Sequence, residues 1–142
     1  MQGGYNTGKD VAVDINGPYG PIRIPKIMTF ESKPKTTSDE KTPLNGQTDE
    51  LLIPKGWTGS IGVERVDGTL DDWWAQFEDD YYRGINQAPG TITETITNTD
   101  GSLSIYRYAH VIYKFEDAGK KEGDKTIHQT MTFTARRRYK AN

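Results

Sequence analysis

A chain of 142 residues is long enough for one domain around a single buried core. Only 33% of the residues are hydrophobic and 27% are charged, yet 15 are aromatic (3 Trp, 8 Tyr, 4 Phe), and the net charge of −2 demands neither a nucleic acid nor an anionic membrane as partner. The absence of cysteine excludes a disulfide framework, a thiolate metal site and a cysteine nucleophile, and no apolar run is long enough to cross a bilayer.

Residues 1–20, rich in Gly, Asn and Pro and without the apolar core of a signal peptide, read as a flexible arm. "PIRIPKIMTFES" (21–32) alternates in the manner of a strand, with Pro25 pushing it to a sheet edge. From 33 to 56 the chain is polar, mixed in charge and carries prolines, which predicts a long loop. "GWTGSIGVERV" (56–66) predicts a strand. A helix follows. Leu70, Trp73, Trp74, Phe77 and Tyr81 form one apolar stripe, Thr69 with Asp72 has the capping-box spacing, and Gly84 suits the stop. This stripe is expected to pack the helix on the sheet.

The remaining chain reads as strands. Asp100-Gly101 predicts a two-residue hairpin turn, which sets a register of Ile96 with Ile105, Glu94 with Arg107, Thr95 with Tyr106 and Thr93 with Tyr108. That register leaves one face apolar and the other hydroxylated by Thr91, Thr93, Thr95 and Thr97. "TIHQTMTFTARRRY" repeats the pattern, with Met131, Phe133 and Ala135 opposite Thr130, Thr132 and Thr134. The expected fold is mainly β, an antiparallel sandwich or barrel with one flanking helix and a long polar loop.

Catalytic and metal-binding signatures are weak. His110 and His128 are the only histidines and have no clustered carboxylates, and neither a nucleophile elbow nor a phosphate loop is present. The acids near Trp73 and Trp74 suggest a glycosidase or sugar cleft, but they fall off the apolar stripe and suit a solvated helix face. Charge is divided along the chain: residues 64–83 hold seven acids against two bases, and 114–140 eight bases against four acids. Asp79 and Asp80 on one segment, and Arg136 and Arg138 on the other, are candidate contacts between copies. So are Lys35, Asp39 and Glu40 in the long loop.

Taken together, "GWTGSIGVERVDGT", a helix ending "YYRG", "TITNTDGSLSIYRYAHVIYKFEDAG" and a last strand ending "TFTARRR" resemble the tail tube proteins of tailed bacteriophages, closest to the short single-domain tubes of contractile tails. Type VI secretion tubes are similar in fold. The resemblance covers roughly residues 20–142 and implies a structural, non-enzymatic virion protein without cofactors. It implies hexameric rings stacked into a tube, with an inner β-barrel whose lumen passes DNA and a tape measure protein without sequence specificity. Sheath, baseplate and tail terminator proteins are the implied partners, and assembly in the bacterial cytoplasm is implied, without membrane insertion. On this reading the threonine rows line the lumen, because a neutral hydrated wall does not bind phosphate as Lys or Arg would. The alternatives are a monomeric β-sandwich that binds carbohydrate on its Trp/Tyr surface, and a tube subunit of a DNA-free contractile injection device.

Overall fold

The computed structural model describes residues 4–24, 27–86 and 88–141. Seven strands form one antiparallel sheet: β1 (Val11–Gly17), β2 (Gly20–Ile22), β3 (Ile27–Lys41), β4 (Asp49–Glu64), β5 (Gly90–Thr97), β6 (Leu103–Asp117) and β7 (His128–Lys140). Their order is β2-β1-β5-β6-β7-β4-β3. Among the described residues there is one α-helix, α1 (Thr69–Tyr82), between β4 and β5 in the chain.

The sheet curls without closing into a barrel. Phe30 of β3 packs edge-on to Tyr108 of β6, with ring centroids 6.0 Å apart, although two strands separate β3 from β6. The Tyr108 hydroxyl donates to Ser32 Oγ across the same gap, at 2.9 Å. The curl wraps the apolar side into a core. Ile15, Ile61, Val63, Ile92, Tyr108, Val111, Tyr113, Met131 and Phe133 are buried there, and Leu70 and Trp73 of α1 join them. The architecture is sandwich-like, as expected. Burying Tyr113 among these groups raises its hydroxyl pKa far above the usual range, while Asn16 O and Thr91 O accept its hydrogen bonds.

Three expectations are corrected. First, the span 33–56 is not a loop. Lys33–Lys41 and Asp49–Gly56 are the outer parts of β3 and β4, paired from Lys33↔Thr58 out to Lys41↔Asp49. Polar, Thr-rich composition hid this strand because neither face of the ribbon is buried, so no alternation marks it. Gly56, at φ +112°, accommodates the register shift at the ribbon's root, where a side chain would strike the carbonyl of Ala135. Second, much of the supposed arm 1–20 is ordered: Gly8–Asp10 is a 3₁₀ turn with a capping box from Thr7, and β1 pairs with β5. Pro25 lies outside the described residues, but β3 is an edge strand as its neighbourhood suggested.

Third, the hairpin register is one residue off. The pairs are Ile92↔Tyr108, Glu94↔Tyr106, Thr95↔Ile105 and Thr97↔Leu103. The turn holds three residues between Asn98 and Ser102, not two. Asn98 N–H donates to Ser102 O (2.8 Å), Gly101 sits at φ +89°, and Asp100 Oδ1 accepts from Ser102 N. This is the type I turn with a left-handed glycine that three-residue hairpins use. A one-residue slip exchanges faces. It moves Tyr106 and Tyr108 to the core side and puts Ile105 and Arg107 among the threonines.

Candidate functional site: the outer sheet face, the ribbon and the helix end

On the side of the sheet away from the core, Thr91, Thr93, Thr95 and Thr97 of β5 form one row, and Thr130, Thr132 and Thr134 of β7 another. Both rows alternate with buried residues, Ile92 and Glu94 in one strand and Met131 and Phe133 in the other. Pairing puts Thr58 and Ser60 of β4 beside Thr134 and Thr132, which extends the hydroxylated surface onto a third strand. Local alternation in "WTGS" carries that signal, but only the β4–β7 register gives it meaning. The face is not charge-free. β6 lies between the two threonine strands and contributes Arg107, Ile112 and Lys114, while β1 sets Asp14 beside Thr93. The charges largely offset one another: Lys114 pairs with Glu116 at 3.2 Å, and Lys33 with Glu31 at 3.1 Å.

The basic end of β7 divides where its pairing with β6 passes the irregularity at His110. Arg136 and Arg137 are exposed. Arg138 turns inward. Its guanidinium lies 3.8 Å from the Tyr106 ring centroid and 4.7 Å from that of Trp57, and its Nη2 is 3.4 Å from Glu94 Oε1. Arg138, an expected contact between copies, is thus already engaged with Glu94 within the chain. Arg138 and Glu94 were spaced too far apart in sequence for this pair to be read in advance, and Glu94 itself was assigned to Arg107.

The helix divides similarly. Leu70 and Trp73 are buried, and Trp74 stacks on Phe77 with centroids 4.8 Å apart and meets Phe115 edge-on. Tyr81 departs from the expected packing stripe, being 70% exposed beside an exposed Tyr82. One residue earlier, Asp80 is buried instead and accepts a hydrogen bond from Tyr19, so it is engaged within the chain. Asp79 is exposed, as are Lys35, Asp39 and Glu40 on the ribbon. At the helix start, Gly68 and not Thr69 is the N-cap, and the preceding Asp67 binds the first helical residue. Its Oδ1 accepts from both Thr69 N and Thr69 Oγ1, which holds the carboxyl below its ordinary pKa. Arg65 Nε donates to Asp71 Oδ2 at 2.8 Å, and buried Gln129 of β7 donates to the same carboxylate and to Ala118 O. The Arg65 bond lowers the Asp71 pKa despite partial burial.

Trp73 and Trp74 are engaged in packing, while Tyr81 and Tyr82 stay exposed at the helix end. Among the described residues there is no cluster of three metal-ligating side chains, and no helix is long and apolar enough to cross a membrane. What the molecule does present is surface: a hydroxylated sheet face and a two-stranded ribbon exposed on both sides.

No family model matches the sequence, and no curated protein matches it either. Solved structures do match the fold. A chain of the PVC sheath/tube terminator from an extracellular contractile injection system superposes with a TM-score of 0.67 at 12% identity, covering 92% of this chain and 93% of its own. A chain of the PVC sheath-tube complex gives 0.63 at 13% identity, over 90% and 86%. The fold is tail-tube-like. A chain from the tail of an empty GTA particle, described with C6 symmetry, matches with a TM-score of 0.52 at 14% identity, over 97% and 100%. The likeness of fold spans 90–97% of this chain in these three comparisons.

Proposed function

We propose that this protein is a structural building block of a tail tube. Copies join side by side into rings, six to a ring, and the rings stack into a hollow tube with the threonine rows on its inner wall. The carrying observation is the pair of hydroxylated rows on one sheet face, Thr91–Thr97 of β5 on one side of β6 and β7 with β4 on the other, on a tail-tube-like fold. Thr is hydrated, neutral and strand-favouring, so a wall of it offers little to which a passing polymer would adhere. The exposed ribbon supplies ring-to-ring contact, and sheath, baseplate and terminator proteins meet the finished tube in the particle tail. The six-fold ring is supported by the C6 symmetry of the GTA tail. In a phage tail, assembled in the host cytoplasm, the lumen passes DNA and the tape measure protein.

A contractile injection device is the second reading, favoured because several of the structural matches come from such devices. Negative-stain microscopy of the concentrated protein tests the main proposal: rings or tubes with a central hole are expected. A monodisperse monomer at every concentration refutes it. Nucleic acid passing through loaded particles, or its absence, separates the two readings.

A further inference from the structure

Two unpartnered features of this chain match each other. The first is a groove of about 360 Å³ between the end of α1 and β6, lined by Trp73, Phe77, Tyr81, Ile85 and Ile112 and mostly apolar. It opens where β6 runs on past the start of β5: the last β5–β6 pair is Gly90↔Val111, and β6 continues to Asp117. The bulge that shapes it places His110 at φ +54°, a left-handed conformation that is uncommon outside glycine and that clusters at functional sites. Trp73, at the groove's back, has a buried indole N–H without an acceptor among the described residues. Beside the opening, Arg136 Nη2 lies 3.3 Å from His110 Nε2, and Arg137 pairs with Ala109. Both arginines are exposed.

The second feature is the outer half of the β3–β4 ribbon. Leu51, Leu52 and Ile53 run consecutively and are all exposed, so both faces of the ribbon show apolar groups. Its pairing sets Glu40 directly opposite Glu50. Like charges in a cross-strand pair are destabilising, and an isolated two-stranded ribbon is marginal in water. Such a ribbon is stabilised by a partner that covers Leu and Ile and brings cations to the two glutamates. The groove is apolar, and Arg136 reaches its edge through His110.

We propose that the groove beside the β6 bulge receives the ribbon tip of a second copy of this chain, with Leu51–Ile53 in the groove and the Glu40–Glu50 pair against Arg136. This rests on the self-assembly reading and adds the identity of the receiving site. Because donor and acceptor surfaces differ, the contact is head-to-tail and repeats from copy to copy.

The native chain has no cysteine, so single thiols can be placed without background. Leu52→Cys chains mixed with Ile112→Cys chains, assembled and treated with a short bismaleimide, should give a cross-linked dimer that neither variant gives alone. Ile112→Arg, at a 57% exposed position, and Arg136→Glu should each raise the concentration needed for assembly at least tenfold while melting like the parent. Adding Glu50→Lys to Arg136→Glu should recover much of that loss. If mixed chains assemble without forming the dimer, or Ile112→Arg assembles like the parent, the groove assignment is wrong and self-assembly stands. If the parent never assembles, both fall.

Discussion

Arg138 has a guanidinium held between Tyr106 and Trp57, with one end toward the carboxylate of buried Glu94, and its Nε has no partner among the described residues. Removing one member of such a pair leaves the other charge desolvated and uncompensated. Arg138→Met should therefore cost about 2–4 kcal/mol of subunit stability in a denaturant titration. The double variant with Glu94→Leu should recover most of the loss; equal losses in single and double variants would show that the ion pair is not the source. The same reasoning confines any charge-reversal test of assembly to Arg136, because Arg138→Glu would set two carboxylates together in the core. Asp71 offers a pH test. Its folded pKa is depressed by Arg65, so its stabilising effect is present above the ordinary aspartate range and is lost as pH falls through the lowered folded value. Stability of the native chain should decline on acidification below pH ~4. Asp71→Asn should flatten that part of the melting-temperature profile, and an unchanged profile would assign the acid sensitivity elsewhere.

The helix and the ribbon respond oppositely to damage. Trp73 sits against Tyr113, Trp74 and Phe77 and is buried, so Trp73→Ala should lower subunit stability by about 3–5 kcal/mol. Trp74 is only half-buried, and Trp74→Ala should cost less while remaining clearly measurable by thermal melting. Melting equal to the native chain's for both variants would make the stripe an interface instead of a core element. The ribbon has no third strand beyond its root: β4 pairs with β7 only from Trp57 to Glu64, while β3 and β4 continue outward together. Its part beyond Lys35 projects about 20 Å at roughly 3.3 Å per residue. Deleting Thr36–Pro54 with a short Gly-Ser closure should leave the melting temperature within a few degrees of the native value and abolish assembly. Normal tubes from that deletion would contradict the stacking role.

At the scale of the whole molecule, the curl decides which side is core and which is free for neighbours or a lumen. A cysteine at Thr95 or Thr132 should react with a small maleimide in assembled tubes and resist a bulky one that cannot enter. Free labelling by the bulky reagent on intact tubes would place these faces outside. Arg107 and Lys114 make this sheet face less uniform than two rows of threonine alone would suggest. Substituting Thr95 and Thr132 by Lys should slow passage of a polyanion most at low salt, since each ring would add cations along its path.

Strand parity is a local property, so the alternation of Thr with Ile, Glu, Met and Phe in β5 and β7 could be read residue by residue, as could the helix and its stop at Gly84. Mainly-β architecture followed from the same patterns, and the resemblance to tail tubes pointed to the fold that the solved structures match. Pairing is not local. Asp100-Gly101 is compatible with a two- or a three-residue turn, and only packing of Tyr108 against Trp57, Phe30 and Phe133, with Tyr106 under the Arg138 guanidinium, selects the latter. Ribbon residues 33–41 carry no periodic signal because periodicity records one-sided burial, and this segment is exposed on both sides. Asp80 and Arg138 read as surface charges until the curl brought Tyr19 and Glu94 to them. Contacts between residues far apart in the chain depend on how the sheet closes over its core, and that was decided only in three dimensions.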